Sequence, residues 1–194
     1  MASFQLAIVK TLRAEGVLYG DDGQPIMGRT GYGNHPRDPG RETNFGVTHQ
    51  TAMEYGYNGS MRHIPYWKVL EIYKKYFWDL LRCDEVVHQG VAEELFDTAV
   101  NCGPWYAVSF LQRAMNKLNN RQTLYPDITL DGRMGPQTVK VLGEALKCGD
   151  QHREALLIFV NCQQGCRYLD IADANEDWEA FIKGIARRVR LNGT

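Results

Sequence analysis

Glu15 is the residue in this chain whose position best suits acid–base chemistry. Phe4, Ile8, Leu12 and Glu15 follow the spacing of one helix face, so the carboxyl group continues an apolar stripe. Gly16 follows at once, as expected of a residue that ends a helix in the left-handed conformation. Apolar surroundings and the negative end of the helix dipole both disfavour an ionised carboxylate, which predicts a raised pKa for Glu15 and suits a general acid. A helix-end glutamate that turns into solvent is the alternative.

The turn-rich stretch 38–48, which reads DPGRETNFGVT, carries polar side chains that could act together with Glu15. Hydrolysis of an acetal needs an acid that protonates the leaving oxygen and a second polar group near the anomeric carbon. Asp38 and Thr43 would supply this second group if the stretch folds back over the first helix. Asp38 could equally be a residue that only caps a turn.

Several other side chains could contact a sugar, because amides bind hydroxyl groups and aromatic rings suit the apolar faces of pyranoses. We predict substrate contacts for four residues: Asn44, Tyr32, His49 and Asn101. Tyr66 and Trp105 are further aromatic candidates, although aromatic residues at helical spacing more often belong to a core. Asn101 lies one helical turn after Asp97, and this pair could instead satisfy backbone groups where helices pack.

Composition limits the partners and cofactors. The formal net charge of −1 over 194 residues gives no general attraction to nucleic acid. No segment approaches about 18 consecutive apolar residues, so we expect no stable membrane insertion. The five cysteines are odd in number and scattered, and the histidines show no metal-ligand spacing. We therefore expect reduced thiols and no metal or organic cofactor.

Helices are the elements that must position these groups, and the periodicity predicts an all-α protein. Residues 16–48 are rich in Gly, Pro, Asp and Asn, which indicates a long functional loop. A small β-hairpin is expected in it, with Val17–Tyr19 and Pro25–Met27 flanking the Asp22–Gly23 turn. Apolar spacing predicts further helices at Tyr66–Leu81, Val91–Cys102, Trp105–Leu118, Pro136–Lys147, Arg153–Ala172 and Glu176–Leu191.

The chain resembles glycoside hydrolase family 108, the peptidoglycan muramidases found among bacteriophage endolysins and bacterial secretion-associated lysozymes. The residues that carry the resemblance are Glu15–Gly16, DPGRETNFGVT at 38–48, Tyr73–Lys74, Tyr76–Asp79, LFDTAVNCG at 95–103, LQRAMN at 111–116, LDGRMGPQT at 130–138 and FIKGIARRV at 181–189. The resemblance implies a lysozyme-like helical fold with Glu15 as catalytic acid and with Asp38 and Thr43 opposite it. The chain between Glu15 and Asp38 is longer than in family members, so Asp21 and Asp22 remain possible second carboxylates.

The resemblance also implies the domain organisation and the reaction. A catalytic region at 1–103 and a peptidoglycan-binding helical region at 104–194 are expected to pack as one compact unit. We predict an N-acetylmuramidase that hydrolyses the β-1,4 bond between N-acetylmuramic acid and N-acetylglucosamine. A lytic transglycosylase, and a non-catalytic peptidoglycan-binding or secretion-accessory protein, are the alternatives.

Partner and location follow from the same resemblance. Bacterial peptidoglycan is the expected partner, and the protein is expected to be a monomer. The first residues, MASFQLAIVK, lack the basic and apolar regions of a classical signal peptide. We expect synthesis in the cytoplasm and action on the cell wall after holin- or secretion-dependent release.

Overall fold

The computed structural model describes residues 1–34 and 42–189. These residues are mostly helical and include a small antiparallel sheet. They divide into two compact units, one of Phe4–Tyr76 and one of Met1–Ser3 with the chain from Phe77 onward. The predicted all-α class with a small β element is confirmed.

The first unit holds the N-terminal helix, the sheet and two further helices. Its elements are α1 (Phe4–Ala14), β1 (Gly33–Asn34), β2 (Glu42–Asn44), β3 (Val47–Thr48), α2 (His49–Glu54), a 3-10 turn (Met61–His63) and α3 (Tyr66–Tyr73). Phe4, Ile8 and Leu12 are buried along one side of α1, as their spacing predicts.

The sheet lies further along the chain than the predicted hairpin. Its order is β1-β2-β3, with both pairs antiparallel, and Thr43 is paired with Gly33 on one side and Thr48 on the other. At the predicted hairpin the chain forms only an isolated bridge between Tyr19 and Pro25, with Gly23 at a φ of +72°. Backbone hydrogen bonds from Ile26 N to Leu18 O at 2.8 Å and from Gly20 N to Gln24 O at 2.9 Å join the two sides, so the chain reverses there without a regular ladder of strands.

The second unit is built on helices. Its elements are a 3-10 turn (Cys83–Glu85), α4 (Gln89–Cys102), α5 (Pro104–Leu118), α6 (Pro136–Ala145), α7 (Asp150–Ala174), a 3-10 turn (Glu176–Trp178), α8 (Glu179–Ile185) and a 3-10 turn (Ala186–Arg188). Helices α4, α5 and α7 pack against one another around buried apolar side chains that include Phe96, Leu111 and Val160.

Two predicted helices differ in detail. The helix predicted at Tyr66–Leu81 ends at Tyr73 and continues as a π-helical turn, Lys74–Trp78. A π turn holds an additional residue, which rotates the positions after it around the axis. Trp78 and Leu81 are therefore fully buried, whereas Leu80, which continues the apolar spacing of Tyr73 and Phe77 in the sequence, is 58% exposed.

The helix predicted at Glu176–Leu191 is divided into two 3-10 turns around the short α8. Trp178 shares the apolar helical spacing of Ile182 and Ile185 in the sequence, which predicts burial, but it is 40% exposed. Arg188, which follows α8, instead anchors this segment: its guanidinium donates to Asp97 Oδ1 of α4 at 2.8 Å.

No helix in the described part of the chain is long and apolar enough to cross a membrane. All five cysteines are free thiols, of which Cys83 is buried. Within residues 1–34 and 42–189, no group of three or more His, Cys, Asp or Glu side chains could hold a metal ion.

Candidate active site

Glu15 is the first residue after α1, at the point where the chain leaves the helix. Its amide donates to Thr11 O at 3.0 Å, and the amide of Val17 closes the helix end by donating to Leu12 O at 2.9 Å. Gly16 between them has a φ of +86°, which is the left-handed ending expected from the sequence. The Glu15 side chain is half-buried. The helix end therefore fixes where this carboxyl group begins.

A two-residue turn joins β2 to β3 and lies beside Glu15. Asn44 pairs with Val47, and the two residues between them, Phe45 and Gly46, have φ values of +53° and +74°. Positive φ at both central positions is the signature of a type I′ hairpin turn. Phe45 is an unusual residue in this conformation, and it is fully buried with its ring stacked on Tyr66 at 5.7 Å. Burial of the ring offsets the backbone cost.

Gly46 brings Glu15 and Tyr73 to the same place. A Cβ atom on Gly46 would lie 2.7 Å from Tyr73 Oη and 3.4 Å from both Cγ and Cδ of Glu15. The Tyr73 hydroxyl, on α3, donates to the carbonyl of Phe45 at 2.9 Å. The end of α1, the hairpin turn and α3 thus meet around the Glu15 carboxyl group.

Thr43 is the central residue of β2, one residue before the turn begins. Its Oγ1 lies 3.4 Å from the position that a Cβ on Gly33 would take, so a side chain at position 33 would contact this hydroxyl. Asn44, the next residue, is buried, and its Nδ2 donates to Met61 O at 2.8 Å. Asn44 thereby braces the hairpin, and its predicted contact with substrate stays a prediction.

The predicted aromatic contacts lie beside the same sheet. Tyr32, just before β1, donates to Glu42 Oε1 at 2.8 Å, and the Arg62 guanidinium lies 4.6 Å from the centre of its ring. His49 is half-buried and begins α2 directly after β3. Both residues are in the first unit with Glu15 and Thr43.

Three aspartates are candidates for the second carboxylate, and two of them, Asp21 and Asp22, are among the described residues. Asp38 and Arg41 lie outside the described residues. Asp21 and Asp22 are exposed, and Asp22 Oδ1 accepts the Gln24 amide at 2.9 Å, which is a turn-capping contact. The capping contact gives Asp22 a structural role in its own turn. Asp38 stays the leading candidate, because it belongs to the stretch DPGRETNFGVT that carries the family resemblance.

Asn101 belongs to the second unit. Its Nδ2 donates to Asp97 O at 2.7 Å along α4, and Asp97 also accepts Arg188 at 2.8 Å. These contacts match the structural interpretation, in which the pair satisfies polar groups where helices pack. A contact of Asn101 with substrate stays a prediction.

Sequence reasoning did not select Phe45, Gly46 or Tyr73 as site residues. The turn could have been recognised, because a glycine-containing pair is flanked by β-branched residues, Thr43 on one side and Val47–Thr48 on the other. Tyr73 gave no comparable signal. Its apolar helix face indicated only a core position.

Two protein-family models match the chain, and one of them covers this site. The model of glycosyl hydrolase 108 matches residues 9–103, a range that includes Glu15, the hairpin and α3. Residues 9–103 of the chain belong to this family. The protein is therefore a glycoside hydrolase. A second model, a predicted peptidoglycan domain, matches residues 106–190, and the two together support peptidoglycan as the substrate or binding partner.

Among solved structures, the chain is similar to Brucella abortus SagA, with a TM-score of 0.63 and 20% sequence identity. The match covers 96% of this chain and 92% of that one. At this identity the likeness establishes a shared fold. No curated protein sequence matches significantly.

Proposed function

We propose that this family 108 glycoside hydrolase is a peptidoglycan N-acetylmuramidase that uses Glu15 as its general acid. The bond cleaved is the β-1,4 linkage between N-acetylmuramic acid and N-acetylglucosamine. The observation that carries the proposal is the contact between the Glu15 carboxyl group and Gly46 of the hairpin turn, where a Cβ would lie 3.4 Å from Glu15 Cδ.

This contact gives Glu15 a defined position for proton transfer. A general acid contributes only if its proton is held within hydrogen-bond reach of the leaving oxygen. The hydrogen bonds that close α1 fix the backbone of Glu15, and the backbone of the hairpin turn lies close to its side chain. The Tyr73 hydroxyl fixes the hairpin turn by its bond to Phe45 O. A half-buried carboxyl group with such support suits the acid of a glycosidase.

The proposed reaction balances with water as the only co-substrate. The Glu15 proton passes to the glycosidic oxygen as the bond to the anomeric carbon breaks. Water adds its oxygen to that carbon as a hydroxyl group, and the one proton that it releases restores the acid. The products are one fragment with a new reducing end and one with a new non-reducing end, and together they contain one more water than the substrate.

Thr43 and Asp38 are proposed to serve the anomeric carbon. The Thr43 hydroxyl, which has no side chain beside it at Gly33, can hold the attacking water by a hydrogen bond. Asp38, which precedes β2 by four positions in the sequence, would accept the proton of that water or stabilise positive charge. Tyr32 and His49 are proposed to contact sugar from the same sheet.

Digestion of purified sacculi by the wild type and by Glu15→Gln tests the proposal, with fragment masses measured. We expect the wild type to release fragments with ordinary reducing ends and Glu15→Gln to lose at least about 100-fold in rate, the range associated with general acid catalysis. Glu54→Gln is the matched control, because Glu54 lies in the same unit at an exposed position, where its Oε1 accepts a hydrogen bond from Gln50 Nε2 at 2.9 Å.

Two results would contradict the proposal. Fragments ending in an anhydro-sugar, lighter by one water, would identify a lytic transglycosylase. Full activity of Glu15→Gln would exclude Glu15 as the acid. Comparing Asp38→Asn with Asp21→Asn and Asp22→Asn then assigns the second carboxylate, and only Asp38→Asn is expected to lose activity.

We further propose that the enzyme acts on the cell wall as a monomer after release by a holin or a secretion system. Its formal charge of −1 offers no general attraction to nucleic acid. Fractionation of a producing cell, with the protein followed before and after release, tests the location.

A further inference from the structure

Trp105 is a large aromatic side chain that remains 54% exposed on the second unit. It occupies the first turn of α5, and Gly132 lies directly against its ring. A Cβ on Gly132 would be 2.3 Å from Cδ1 and 2.4 Å from Nε1 of the indole. Gly132 has a φ of +67°. The backbone of a glycine turn therefore covers one part of the indole and leaves much of the rest open.

A buried glutamine holds this turn in place. Gln112, two helical turns after Trp105 on α5, is 1% exposed. Its Oε1 accepts the Gly132 amide at 3.0 Å, and its Nε2 donates to Asp131 Oδ1 at 2.8 Å. The same Nε2 approaches Thr138 Oγ1 at 3.2 Å. Both ends of one buried amide thus fix the turn against the helix that carries Trp105.

The turn also presents polar groups beside the indole. Asp131 and Arg133 are exposed. Asp131 Oδ1 accepts the Arg133 amide at 2.9 Å, and its hydrogen bond from Gln112, followed by that amide, lowers the pKa of the Asp131 carboxyl group. Next to the open ring the surface therefore carries an ionised carboxylate and a guanidinium, which can bind hydroxyl and acetamido groups.

We propose that Trp105 and the turn Asp131–Arg133 form a binding site for the glycan strand of peptidoglycan, separate from the Glu15 site. The proposal rests on the proposed function, since it assumes that the enzyme meets this polymer. A rigid aromatic ring with a few fixed polar groups is the usual composition of a carbohydrate-sized site. The position of the site favours peptidoglycan as its ligand, because the turn and Gln112 lie within residues 106–190, which match the peptidoglycan domain.

Binding is measured in the Glu15→Gln background, so that substrate is not consumed. The probe is peptide-free glycan strands prepared from sacculi, with intact sacculi in parallel. Trp105→Ala should weaken binding of the strands by about tenfold, which corresponds to about 1.4 kcal/mol. Trp105→Phe keeps an aromatic face and should recover most of the affinity. Circular dichroism and thermal melting establish that each variant is folded.

Gly132→Ala provides an independent variant that leaves Trp105 present. Its Cβ cannot be accommodated at 2.3 Å from the indole, so the ring must move and binding should fall as in Trp105→Ala. Trp67→Ala is the matched control, because Trp67 is 64% exposed in the first unit and should bind strands like the parent.

The proposal is overturned if Trp105→Ala binds strands as well as the parent, or if Trp67→Ala loses as much affinity. It is also overturned if Trp105→Ala weakens binding to sacculi but not to peptide-free strands, because the site would then bind the stem peptide. Activity of Glu15→Gln would contradict only the proposed function, and binding of Trp105→Ala and its parent would then be compared from initial association rates, before the strands are consumed.

Discussion

Gly46 must lack a side chain for two separate reasons. Its φ of +74° is costly for any residue with a Cβ, and that Cβ would lie 2.7 Å from Tyr73 Oη. Gly23 has nearly the same φ, +72°, but no atom of the described residues lies within 4 Å of the corresponding position. The two glycines therefore separate the conformational requirement from the spatial one.

Gly46→Ala should reduce both stability and activity, and Gly23→Ala should reduce stability alone. The conformational cost at each position is about 1–2 kcal/mol, and overpacking adds about 1–3 kcal/mol at Gly46. Displacement of the turn from Glu15 should lower kcat/KM by about 100-fold. Denaturant unfolding and sacculus digestion measure the two effects. Equal losses in both variants would show that contact with Tyr73 and Glu15 is unimportant.

Tyr73→Phe removes the hydroxyl that donates to Phe45 O. Because the carbonyl is left without this donor in a buried place, we expect a loss of about 1–3 kcal/mol in the free energy of unfolding. Tyr57→Phe is the control, since the Tyr57 hydroxyl donates to Ser60 O at 2.9 Å at an exposed position and should cost less than about 0.5 kcal/mol. A Tyr73→Phe protein as stable as the control would contradict the role of this bond.

Positions set by local spacing were predictable, and contacts between distant segments were not. The half-buried position of Glu15 at the end of α1 followed from three apolar residues on its own helix. The role of Gly46 depends on Tyr73, which reaches the turn from α3, and no periodicity within either segment reveals that meeting. Asn44 shows the same limit: its type suggested a sugar contact, whereas its burial against Met61 depends on the fold.

At the scale of elements, α7 carries a buried glutamine without the contacts that usually accompany one. Gln164 is 0% exposed, and neither its Nε2 nor its Oε1 has a hydrogen-bond partner within the described residues. Such a group pays the full cost of leaving water. Gln164→Met should therefore raise the free energy of unfolding by about 1 kcal/mol, measured by denaturant titration.

The neighbouring Gln163 provides the control for this change. Its Nε2 donates to Phe110 O at 3.0 Å and to Phe159 O at 2.9 Å, so Gln163→Met should destabilise the protein. If Gln164→Met destabilises as much, the Gln164 amide is hydrogen-bonded in solution and the prediction fails.

The type and bounds of a helix were easier to predict than which of its side chains are buried. The apolar spacing placed α4, α5 and α7 close to their observed bounds, because several turns of consistent periodicity leave little choice. The π turn at Lys74–Trp78 is different, since one additional residue reverses the positions of Trp78 and Leu80 relative to the core. The sequence carries no separate signal for that insertion.

At the scale of the whole molecule, the environment of His152 should make the free energy of unfolding depend on pH. The ring Nε2 lies 2.8 Å from the Tyr125 hydroxyl, and burial lowers the pKa of His152 below its usual value of 6.5. The unfolded chain therefore binds a proton more readily than the folded protein near pH 6.5. Stability should fall as the pH drops through this value.

Thermal unfolding between pH 7.5 and pH 5.5 measures this effect, with both values lying within about one unit of the reference pKa. His152→Gln, which keeps a partner for Tyr125 but cannot be protonated, should show a smaller fall than the wild type. His63→Gln, at an exposed position, is the control and should behave like the wild type. An equal fall in all three proteins would assign the acid sensitivity to other groups.

Two long-range hydrogen bonds of α4 also bear on synthesis. Gln89 Oε1 accepts the Ser3 amide at 2.6 Å across 86 positions, and Asp97 accepts Arg188 across 91 positions. The first connection becomes available when half of the chain has emerged from the ribosome, whereas the second must await residue 188. Because long-range contacts form late in folding, a nascent chain still lacks this ion pair after the whole segment around Glu15 has been translated.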